Sequence, residues 1–541
     1  MDSETEARIE IFDYHDKTKH HYNRFAGSPG YMDWANQPDP FRRYEGKLPV
    51  RLPLLSKDPA APYQDLYLRE HNQSVSFNLN NIAGFLELSF ALSAWKTIPG
   101  SRWPLRINPS SGNLHPTECH LVVPDIEKAI GPGVYHYNPF FHCLEPRASL
   151  STNAWEELEK HFQAPGFLMG LSSIFWRESW KYGERAFRYC NHDVGHALAC
   201  AVFSANLFGW KAIYLNALSD EQIGNILGFD KIRWHPHEEE HPDLLCYVFP
   251  KETRNIPRYI PDKIIRNFSK LDFFGTPNPL SEDHVNWEII GKAAENSIKP
   301  GTAPFEINFD GNRPFFEPVN SELPAAAIIR RRRSALSFDP DGSISREKFL
   351  SILDKTIPRN CCPPFDTGLT FPLTHLFLFV HSVTGLDSGL YFFVRNSDDF
   401  DELKTLCKQE FLWSPVRENF PLFLLEKGDF RRQSSRISCF QEIAGDCCFS
   451  LGMIVKFRKT IEKAVYKYRH MFWEAGMIGQ VLYLEAEAHG FRGTGIGCFF
   501  DDPVHDLLGF ADNRYQSLYH FTVGKPVQDL RLKTLPPYYH L

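Results

Sequence analysis

The sequence predicts two tandem copies of one domain built from helices and strands. Residues 469–510, slid back by 281 positions, fall without a gap on residues 188–229. Eight of the 42 aligned positions are then identical, where chance gives about two or three. The chain of 541 residues also exceeds what one hydrophobic core usually supports, and 43% hydrophobic residues are enough for two cores. Each copy should therefore contain a buried helix, a strand and a second short helix, in that order.

The first half of the chain is predicted to be an arm followed by one domain. Residues 1–60 are polar, aromatic and Pro-rich, with too many turn-forming residues for long helices or strands, so an extended arm is expected to wrap a domain surface. The first domain spans residues 61–255. Residues 82–95 have helical apolar spacing, residues 101–124 form a loop that leads into a strand, and residues 133–147 form an aromatic strand and turn.

The buried helix of this domain is predicted from one unbroken apolar face. That face consists of Val194, Ala197, Leu198, Ala201, Val202 and Ala205. A strand at 211–218 and a short helix at 219–229 should follow.

The second half of the chain is predicted to be a linker followed by the second copy. Residues 256–320 are rich in Pro, Asn and Asp, which indicates a linker with one helix near 283–297. The second domain, 321–541, should open with a helix, a basic turn and another helix capped by Ser345 or Ser343. The strands of the first copy recur at an offset of 256, so the second copy carries about 25 extra residues before its buried helix.

Charge and composition exclude several classes of protein. A net charge of −7 and a pI near 6.3 give no general attraction to nucleic acid or to an anionic membrane. No apolar run is long enough to span a bilayer, and the acidic N-terminus lacks the apolar core of a secretory signal. Twelve cysteines without CxxC spacing fit neither a zinc ribbon nor a disulfide framework. We expect a cytoplasmic protein with no nucleic-acid or membrane partner.

No metal site is predicted. His235, His237 and His241 lie among three glutamates and could bind a metal, but a solvated acidic turn is favoured.

Two stretches of the second copy suit a flat, anionic ligand. Residues 330–334, RRRRS, combine guanidinium forks with a hydroxyl, as a dianionic phosphate requires, although such a run also suits a solvated face. Gly493, Gly495 and Gly497 alternate with Thr494 and Ile496 after the buried helix. A backbone without side chains lets a flat ring approach and receive N–H hydrogen bonds; the alternative is a tight bend.

Two stretches of the first copy complement them. One loop consists of Pro109, Ser110, Ser111, Gly112 and Asn113. Its hydroxyls, amide and backbone donors suit the edge of a polar heterocycle; the alternative is an ordinary loop. Lys181 and Tyr182 stand side by side before the buried helix. Both can transfer protons if a pocket tunes them, whereas the alternative is a polar helix start with a salt bridge from Glu184.

Together, the motifs RRS, PSSGNLHPTE, KYGERAFRY, EAGMIGQVLYLEAEAHG and GTGIGCFFDD resemble the nitroreductase-like flavoprotein superfamily, and specifically its SagB-type (ThcOx) dehydrogenase branch. The resemblance covers both copies. It implies two tandem α+β domains, each with a central mixed or antiparallel sheet flanked by helices. It also implies that the two domains form an intramolecular pseudo-dimer, exchange arms and bind FMN at their interface.

The resemblance further implies that the site is divided between the copies. In the superfamily, one subunit supplies the phosphate-binding Arg/Ser turn and the Gly-rich strand, and the other supplies the loop over the flavin ring. Here the second copy keeps Arg332, Arg333, Ser334 and 493–497, while the first copy reads REHNQS at 69–74 and KAIYLN at 211–216. The ring loop is intact only at 109–113, and the second copy has CCPPFDTG at 361–368 instead.

The Lys-Tyr pair likewise has no counterpart in the second copy, where Glu462 and Lys463 stand at the aligned place. One composite FMN site and one degenerate site are therefore predicted. Leu336 replaces an arginine that is frequent in the superfamily, so Lys525 and Arg531 are candidates to complete the phosphate pocket.

The implied activity is FMN-dependent two-electron oxidation, in which a substrate passes a hydride to flavin N5 and Lys181 or Tyr182 removes a proton. In the SagB-type branch this is azoline-type oxidation of a modified peptide. Two alternatives remain: an NAD(P)H-dependent nitro or quinone reductase, and a flavin-free scaffold of a peptide-modifying complex. The expected partners are a small-molecule or modified-peptide substrate and NAD(P)H or O2, with the chain acting as a monomeric pseudo-dimer.

Overall fold

The computed structural model describes residues 2–70, 72–309, 321–369 and 372–541. Residues 310–320, at the end of the predicted linker, lie outside the described residues. The elements of the first half are α1 (Ser3–Lys17), β1 (Tyr44–Glu45), β2 (Val50–Arg51), α2 (Leu79–Glu87), β3 (Leu92–Ile98), β4 (Ser101–Arg106), β5 (Thr117–Val123), β6 (Gly133–Asn138), β7 (Cys143–Ser149), α3 (Thr152–Phe162), β8 (Phe167–Ser173), α4 (Phe175–Tyr182), α5 (Ala186–Leu207), β9 (Trp210–Tyr214), α6 (Asp220–Leu227), β10 (His241–Pro250), α7 (Asp262–Ser269), β11 (Thr276–Pro277) and α8 (Glu288–Asn296).

The second half begins with a helix that ends in the basic turn. Its elements are α9 (Ala325–Arg331), β12 (Ile344–Ser345), α10 (Arg346–Asp354), β13 (Thr374–Val380), β14 (Val383–Thr384), β15 (Gly389–Phe393), α11 (Phe400–Leu406), β16 (Ser414–Pro415), β17 (Leu422–Lys427), α12 (Arg431–Ile437), α13 (Ile443–Asp446), β18 (Phe449–Lys456), α14 (Arg458–Lys463), α15 (Lys467–Ala488), β19 (Arg492–Ile496), α16 (Asp501–Leu508), β20 (Tyr515–Gly524) and β21 (Lys533–Leu535). The predicted cap of α10 is confirmed, because Ser345 accepts the Lys348 N–H.

Each half contains a seven-stranded antiparallel sheet, and the two sheets have the same strand order. The first runs β2-β7-β6-β5-β8-β10-β9 and the second runs β16-β17-β15-β13-β18-β20-β19. The extra residues of the second copy lie mainly in its connection from β15 to β17, residues 394–421, where the first copy needs only 139–142. The predicted tandem α+β fold is therefore confirmed.

The two copies pack through their long helices, α5 and α15, which cross at a pair of glycines. A Cβ on Gly195 would lie 2.1 Å from the Trp473 carbonyl oxygen, and one on Gly476 would lie 2.2 Å from the His192 carbonyl oxygen. These contacts are equivalent by the 281-residue offset, since 195 and 192 correspond to 476 and 473. Such a reciprocal contact is what a two-fold relation between the copies requires.

The ends of the chain cross between the domains. Strand β21 pairs antiparallel with β3 of the first domain. In the arm, the N–H of His20 donates to the Asp501 carboxylate at 3.0 Å, so the arm contacts the second domain. Each domain is thus covered by a segment that is distant in sequence.

The arm and the apolar stretch 82–95 differ in structure from the sequence expectation. The arm begins with a 15-residue helix, α1, because its turn-forming residues lie beyond that segment and Asp2 caps the helix at the Thr5 N–H. The apolar stretch 82–95 is helical only in α2 and continues as β3, which pairs with β4 and β21. Tertiary strand pairing there overrides the helical spacing.

The predicted domain limits at residues 60, 255 and 320 remain predictions. Helix α7, in the segment predicted to be a linker, packs Ile264, Ile265 and Phe268 into a core that includes Phe162 and Leu245 of the first domain. In the part of the chain that the structure describes, no helix is long and apolar enough to cross a membrane.

Candidate active site

A cavity of about 660 Å³ lies between the two domains. This volume is within the range of about 300–1,000 Å³ that is usual for small-molecule and cofactor sites. The first domain contributes residues of β3, β4 and the loop that follows, and the second contributes the basic turn, β19 and the chain after β20. Predicted residues in the wall are Pro109, Ser110, Ser111, Gly112, Asn113, Tyr182, Arg332, Arg333, Ser334, Gly495, Ile496 and Gly497.

The basic turn is held against the Gly-rich strand. The chain leaves α9 at Arg332, Ser334 bridges to Gly493, and the Ala335 N–H donates to the Gly493 carbonyl at 3.2 Å. Arg332 is buried, with its guanidinium over the Tyr483 ring, and its Nε has no hydrogen-bond partner among the residues that the structure describes. A buried guanidinium N–H without a partner fits an anionic ligand, because leaving it unsatisfied is costly.

Further cations surround the turn. Among the described residues, five cationic and two acidic side chains line the cavity: Lys96, Arg106, Arg332, Arg333 and Arg492 against Asp193 and Asp529. Burial, with Arg332 beside it, lowers the pKa of Arg333 to about 9, and burial with Arg333 and Arg492 also lowers the pKa of Lys96. This crowding of like charges would be relieved by a bound anion.

The two C-terminal candidates for this cluster lie elsewhere. Lys525 pairs with Asp339 at 3.1 Å, and Arg531 is largely exposed and pairs with Asp529 at 2.8 Å. Neither residue lines the cavity. Lys96 and Arg492 line the cavity near the basic turn instead. The position of Arg492 immediately before Gly493 is the sequence signal that could have identified it.

The Gly-rich strand β19 lies at the edge of its sheet, where its neighbouring strand is β20. Its glycines are required chiefly by protein packing. A Cβ on Gly495 would lie 1.9 Å from the Tyr519 hydroxyl, and one on Gly497 would lie 2.3 Å from the Tyr189 ring. The Gly495 N–H donates to the Tyr483 hydroxyl at 3.0 Å. This N–H is therefore not free for a ligand, and the strand offers fewer backbone donors than the sequence suggested.

Hydrogen bonds to other parts of the first domain hold the loop 109–113 in place. The Ser111 N–H donates to the Asp193 carboxylate at 3.1 Å, and the Asn113 amide donates to the Pro104 carbonyl at 2.9 Å. Gly112 has φ 59° and lies against the Lys-Tyr pair: a Cβ there would be 2.7 Å from the Tyr182 hydroxyl and 3.1 Å from Lys181 Nζ. The left-handed conformation and the close approach both require glycine.

Lys181 and Tyr182 end helix α4, and the N-terminal arm stabilises the turn that follows. Gly183 has φ 54°, and its neighbour Glu184 exchanges hydrogen bonds with Gly27 at 2.8 and 3.0 Å. Tyr182 lines the cavity, and burial, with Glu178 adding to it, raises the pKa of Tyr182 well above its ordinary value. Lys181 is half-buried next to it, with Nζ 5.1 Å from the centre of the Tyr182 ring, but does not line the cavity.

Two buried carboxyl groups behind the loop were not predicted. Burial raises the pKa of Asp193, which lines the cavity, to about 7. Burial and the neighbouring Asp193 raise the pKa of Glu178 well above its ordinary value. Glu178 precedes Lys181 by three residues, hence by about one helical turn, and this spacing is the signal that could have pointed to it.

The pseudo-equivalent position in the other half of the interface contains a buried ion pair. Ser110 corresponds to Asp366 at the 256-residue offset, and Asp366 accepts two hydrogen bonds from the Arg69 guanidinium, at 2.8 and 2.9 Å. Lys211, the counterpart of Arg492, lies 3.7 Å from the same carboxylate. A small cavity of about 10 Å³ lies beside this loop. The Asp366 carboxylate is thus paired with cations of the first copy.

The structure thus consists of two paired α+β domains with a cation-lined cavity at their interface. Residues 329–525 match the nitroreductase family. A crystal structure of an Anabaena variabilis protein, provisionally assigned as a nitroreductase, superposes with a TM-score of 0.70 over 96% of this chain and 99% of that chain, at 20% sequence identity, and so shares the fold over both copies.

Two curated relatives are named as processing proteins of trifolitoxin and of microcin B17. The trifolitoxin-processing protein TfxB of Rhizobium leguminosarum bv. trifolii is 31% identical over 149 residues, which is 25% of this chain and 40% of TfxB. The microcin B17-processing protein McbC of Escherichia coli is 28% identical over 131 residues, which is 23% of this chain and 48% of McbC. The chain therefore spans about half or less of the length of these relatives. The resemblance seen in the sequence is confirmed: residues 329–525 match the nitroreductase family, and the relatives are consistent with a SagB-type nitroreductase-like protein.

Proposed function

We propose that the chain is an FMN-dependent oxidoreductase with one composite site in the interdomain cavity. One observation carries the proposal: the basic turn of the second copy and the ring loop and Tyr182 of the first copy line the same cavity. When bound, FMN supplies a flavin ring that accepts a hydride from a substrate.

The residues present fit this cofactor. Arg332, Arg333 and Ser334 would hold the phosphate, with Lys96 and Arg492 adding positive charge. The partnerless Nε of buried Arg332 is the observation that supports an anion there. The edge of β19 and the loop 110–113 would hold the ring between them.

The side chains near the ring would manage protons and orientation. Because burial raises its pKa, Tyr182 keeps its proton at neutral pH and acts as a hydrogen-bond donor rather than as a base. The role of proton acceptor is assigned to Lys181, which lies beside Tyr182, because of the resemblance to the catalytic Lys-Tyr motif. Asp193, with a pKa near 7, can exchange a proton with the cavity at neutral pH.

A modified peptide is the proposed substrate class, with azoline-type oxidation as the reaction. The support is the similarity to TfxB and McbC, whose names describe the processing of trifolitoxin and microcin B17.

The test is to purify the whole chain, record its visible spectrum and count the flavin released per polypeptide. We expect about one FMN per chain, since Arg69 and Asp366 close the second position. The double variant R332A/R333A should lose the flavin, whereas R331A, which alters an arginine with 59% of its side chain exposed, should keep it.

Other results would contradict the proposal. Two flavins per chain would refute the single composite site, and none after reconstitution would favour the scaffold alternative. Rapid anaerobic bleaching of the flavin by NAD(P)H, without oxidation of any azoline-containing peptide, would favour the reductase.

A further inference from the structure

Two cysteines from distant parts of the second domain meet at the cavity wall. The Sγ atoms of Cys439 and Cys498 lie 2.7 Å apart. Cys498 directly follows the Gly-rich segment and lines the cavity, while Cys439 follows α12. The Gln441 side chain donates to the Cys498 carbonyl at 3.1 Å and so ties the two segments together. Both cysteines are half-buried, and small molecules that enter the cavity can reach Cys498 in its wall.

The surroundings of Cys498 are those of a reactive thiol. The hydrogen bond with Cys439, a second one with His20 and the nearby Arg185 guanidinium hold the pKa of Cys498 well below its usual range. His20 Nδ1 accepts the Ala26 N–H at 3.0 Å, so the neutral ring has its proton on Nε2 and can donate it to the sulfur. By contrast, burial raises the pKa of other thiols, such as Cys447 and Cys200. Low pKa with partial exposure is the pattern of reactive cysteines.

The backbone at Cys439 is strained, and the strained turn places the Cys439 sulfur next to Cys498. Cys439 and Phe440 have φ values of 54° and 60°, so two successive non-glycine residues are left-handed. Such conformations are costly and persist where the surroundings enforce them, often at functional sites. Here they form the turn between α12 and α13 that places Cys439 against Cys498.

We propose that Cys439 and Cys498 form a thiol–disulfide exchange site that reacts with low-molecular-weight disulfides entering the cavity. The Cys498 thiolate attacks one sulfur of a disulfide RSSR, forms a mixed disulfide and releases RS⁻. Cys439 then gives up its proton to solvent and attacks the Cys498 sulfur, which closes the Cys439–Cys498 disulfide and releases the second RS⁻. The pair loses two electrons in total, and RSSR is reduced to two thiols. This proposal does not depend on flavin binding.

The experiment incubates the folded full-length chain in buffers of oxidised and reduced glutathione, followed by acid quenching, alkylation, tryptic digestion and mass spectrometry. We expect the peptides 437–456 and 493–514 to become joined by a disulfide. Because 437–456 also contains Cys447 and Cys448, the C439S variant identifies the partner. In that variant the link should disappear and Cys498 should retain glutathione, since the resolving thiol is gone.

A second measurement uses the wild-type chain alone and so does not depend on the folding of a variant. At pH 6, iodoacetamide should alkylate Cys498 at least about tenfold faster than the exposed Cys361, because only a thiolate reacts. The proposal is overturned if Cys361 reacts faster, if glutathione modifies Cys361 while Cys498 stays free and unlinked, or if the link persists in C439S.

Discussion

Single residues distinguish the two pseudo-equivalent positions. Where the first copy has Ser110, the second has Asp366, and that carboxylate pairs with Arg69 and Lys211. At the interdomain cavity a neutral serine stands at the same place in the loop, and the cations of the basic turn line the same cavity. The proposal of one composite site depends on this difference, because the ion pair would exclude an anion from one position and the serine would leave the cations of the other available.

The Lys-Tyr pair can be tested for a catalytic role. The K181A variant should retain bound flavin and lose about 100-fold or more in the rate of substrate oxidation, the usual contribution of general-base catalysis. Absorbance of the bound flavin and single-turnover oxidation measure the two effects. The control is K463A, which alters an exposed lysine of the second copy at the place aligned with Tyr182 and should behave as wild type. Loss of flavin from K181A would show a structural role instead.

Asp193 gives a prediction for the pH dependence of stability. Burial raises its pKa from 3.8 to about 7, so the folded chain holds a proton that the unfolded chain releases within this range. The stabilisation is complete below about pH 4 and is lost as the pH rises through 7. Because D193N removes the titration, its free energy of unfolding relative to wild type should rise by about 3 kcal/mol from pH 5 to pH 8.

Urea unfolding at the two pH values measures this difference. The control variant D13N, at an exposed position of α1, should show little change between them. An unchanged difference for D193N would mean that Asp193 is ionised throughout the range.

At the scale of elements, the crossing of α5 and α15 holds the two copies together. The helices touch at backbone atoms, so neither Gly195 nor Gly476 can carry a side chain without separating them. The cavity depends on this spacing, because its walls come from both copies.

Substitution of the crossing glycine should therefore be destabilising. In G195A the new Cβ would lie 2.1 Å from the Trp473 carbonyl oxygen, and we expect a loss of about 1–3 kcal/mol or more together with weaker flavin retention. Thermal unfolding and flavin release measure both effects. The control is G291A on α8, where no atom of the described residues beyond the helix's own backbone lies within 4 Å of the added Cβ; it should be neutral or stabilising, because alanine favours a helix. Equal behaviour of the two variants would contradict the assigned crossing.

At the scale of the whole molecule, the exchanged segments complete each domain. The C-terminal strand β21 adds a third strand to the β3–β4 hairpin of the first domain. Leu532, just before β21, and Thr534, within it, line the cavity. Tyr538 anchors this segment: its hydroxyl donates to the Pro139 carbonyl at 3.0 Å and accepts the Leu92 N–H at 3.2 Å.

Adjacent tyrosines allow a matched test of this docking. Y538A should release the C-terminal segment, with a loss of about 3 kcal/mol or more from burial and hydrogen bonding, and limited proteolysis should then cleave it faster. Y539A, which alters a neighbour that is 40% exposed, should leave the cleavage rate close to that of wild type. Similar protection in both variants would show that the segment is held by β21 alone.

Much of this architecture could be predicted from local patterns and from the repeat. The 281-residue offset located the helices α5 and α15, and the alternating glycines located β19. These elements depend on spacing along the chain, which hydrophobic periodicity and turn-forming residues report directly. The family resemblance, rather than spacing, implied that 109–113 and 332–334 share one site; both segments line the interdomain cavity, and the shared site remains a prediction.

Tertiary structure alone decided the rest. The pairing of Arg69 with Asp366, the approach of Lys96 to the basic turn, the buried carboxyls of Glu178 and Asp193, and the contact of Cys439 with Cys498 all join residues that sequence spacing does not relate. Tyrosines packed beneath β19, rather than a ligand alone, require its glycines. The physical reason is that burial and charge depend on which distant segments meet, and one sequence records the residues that can form such contacts without recording which of them do.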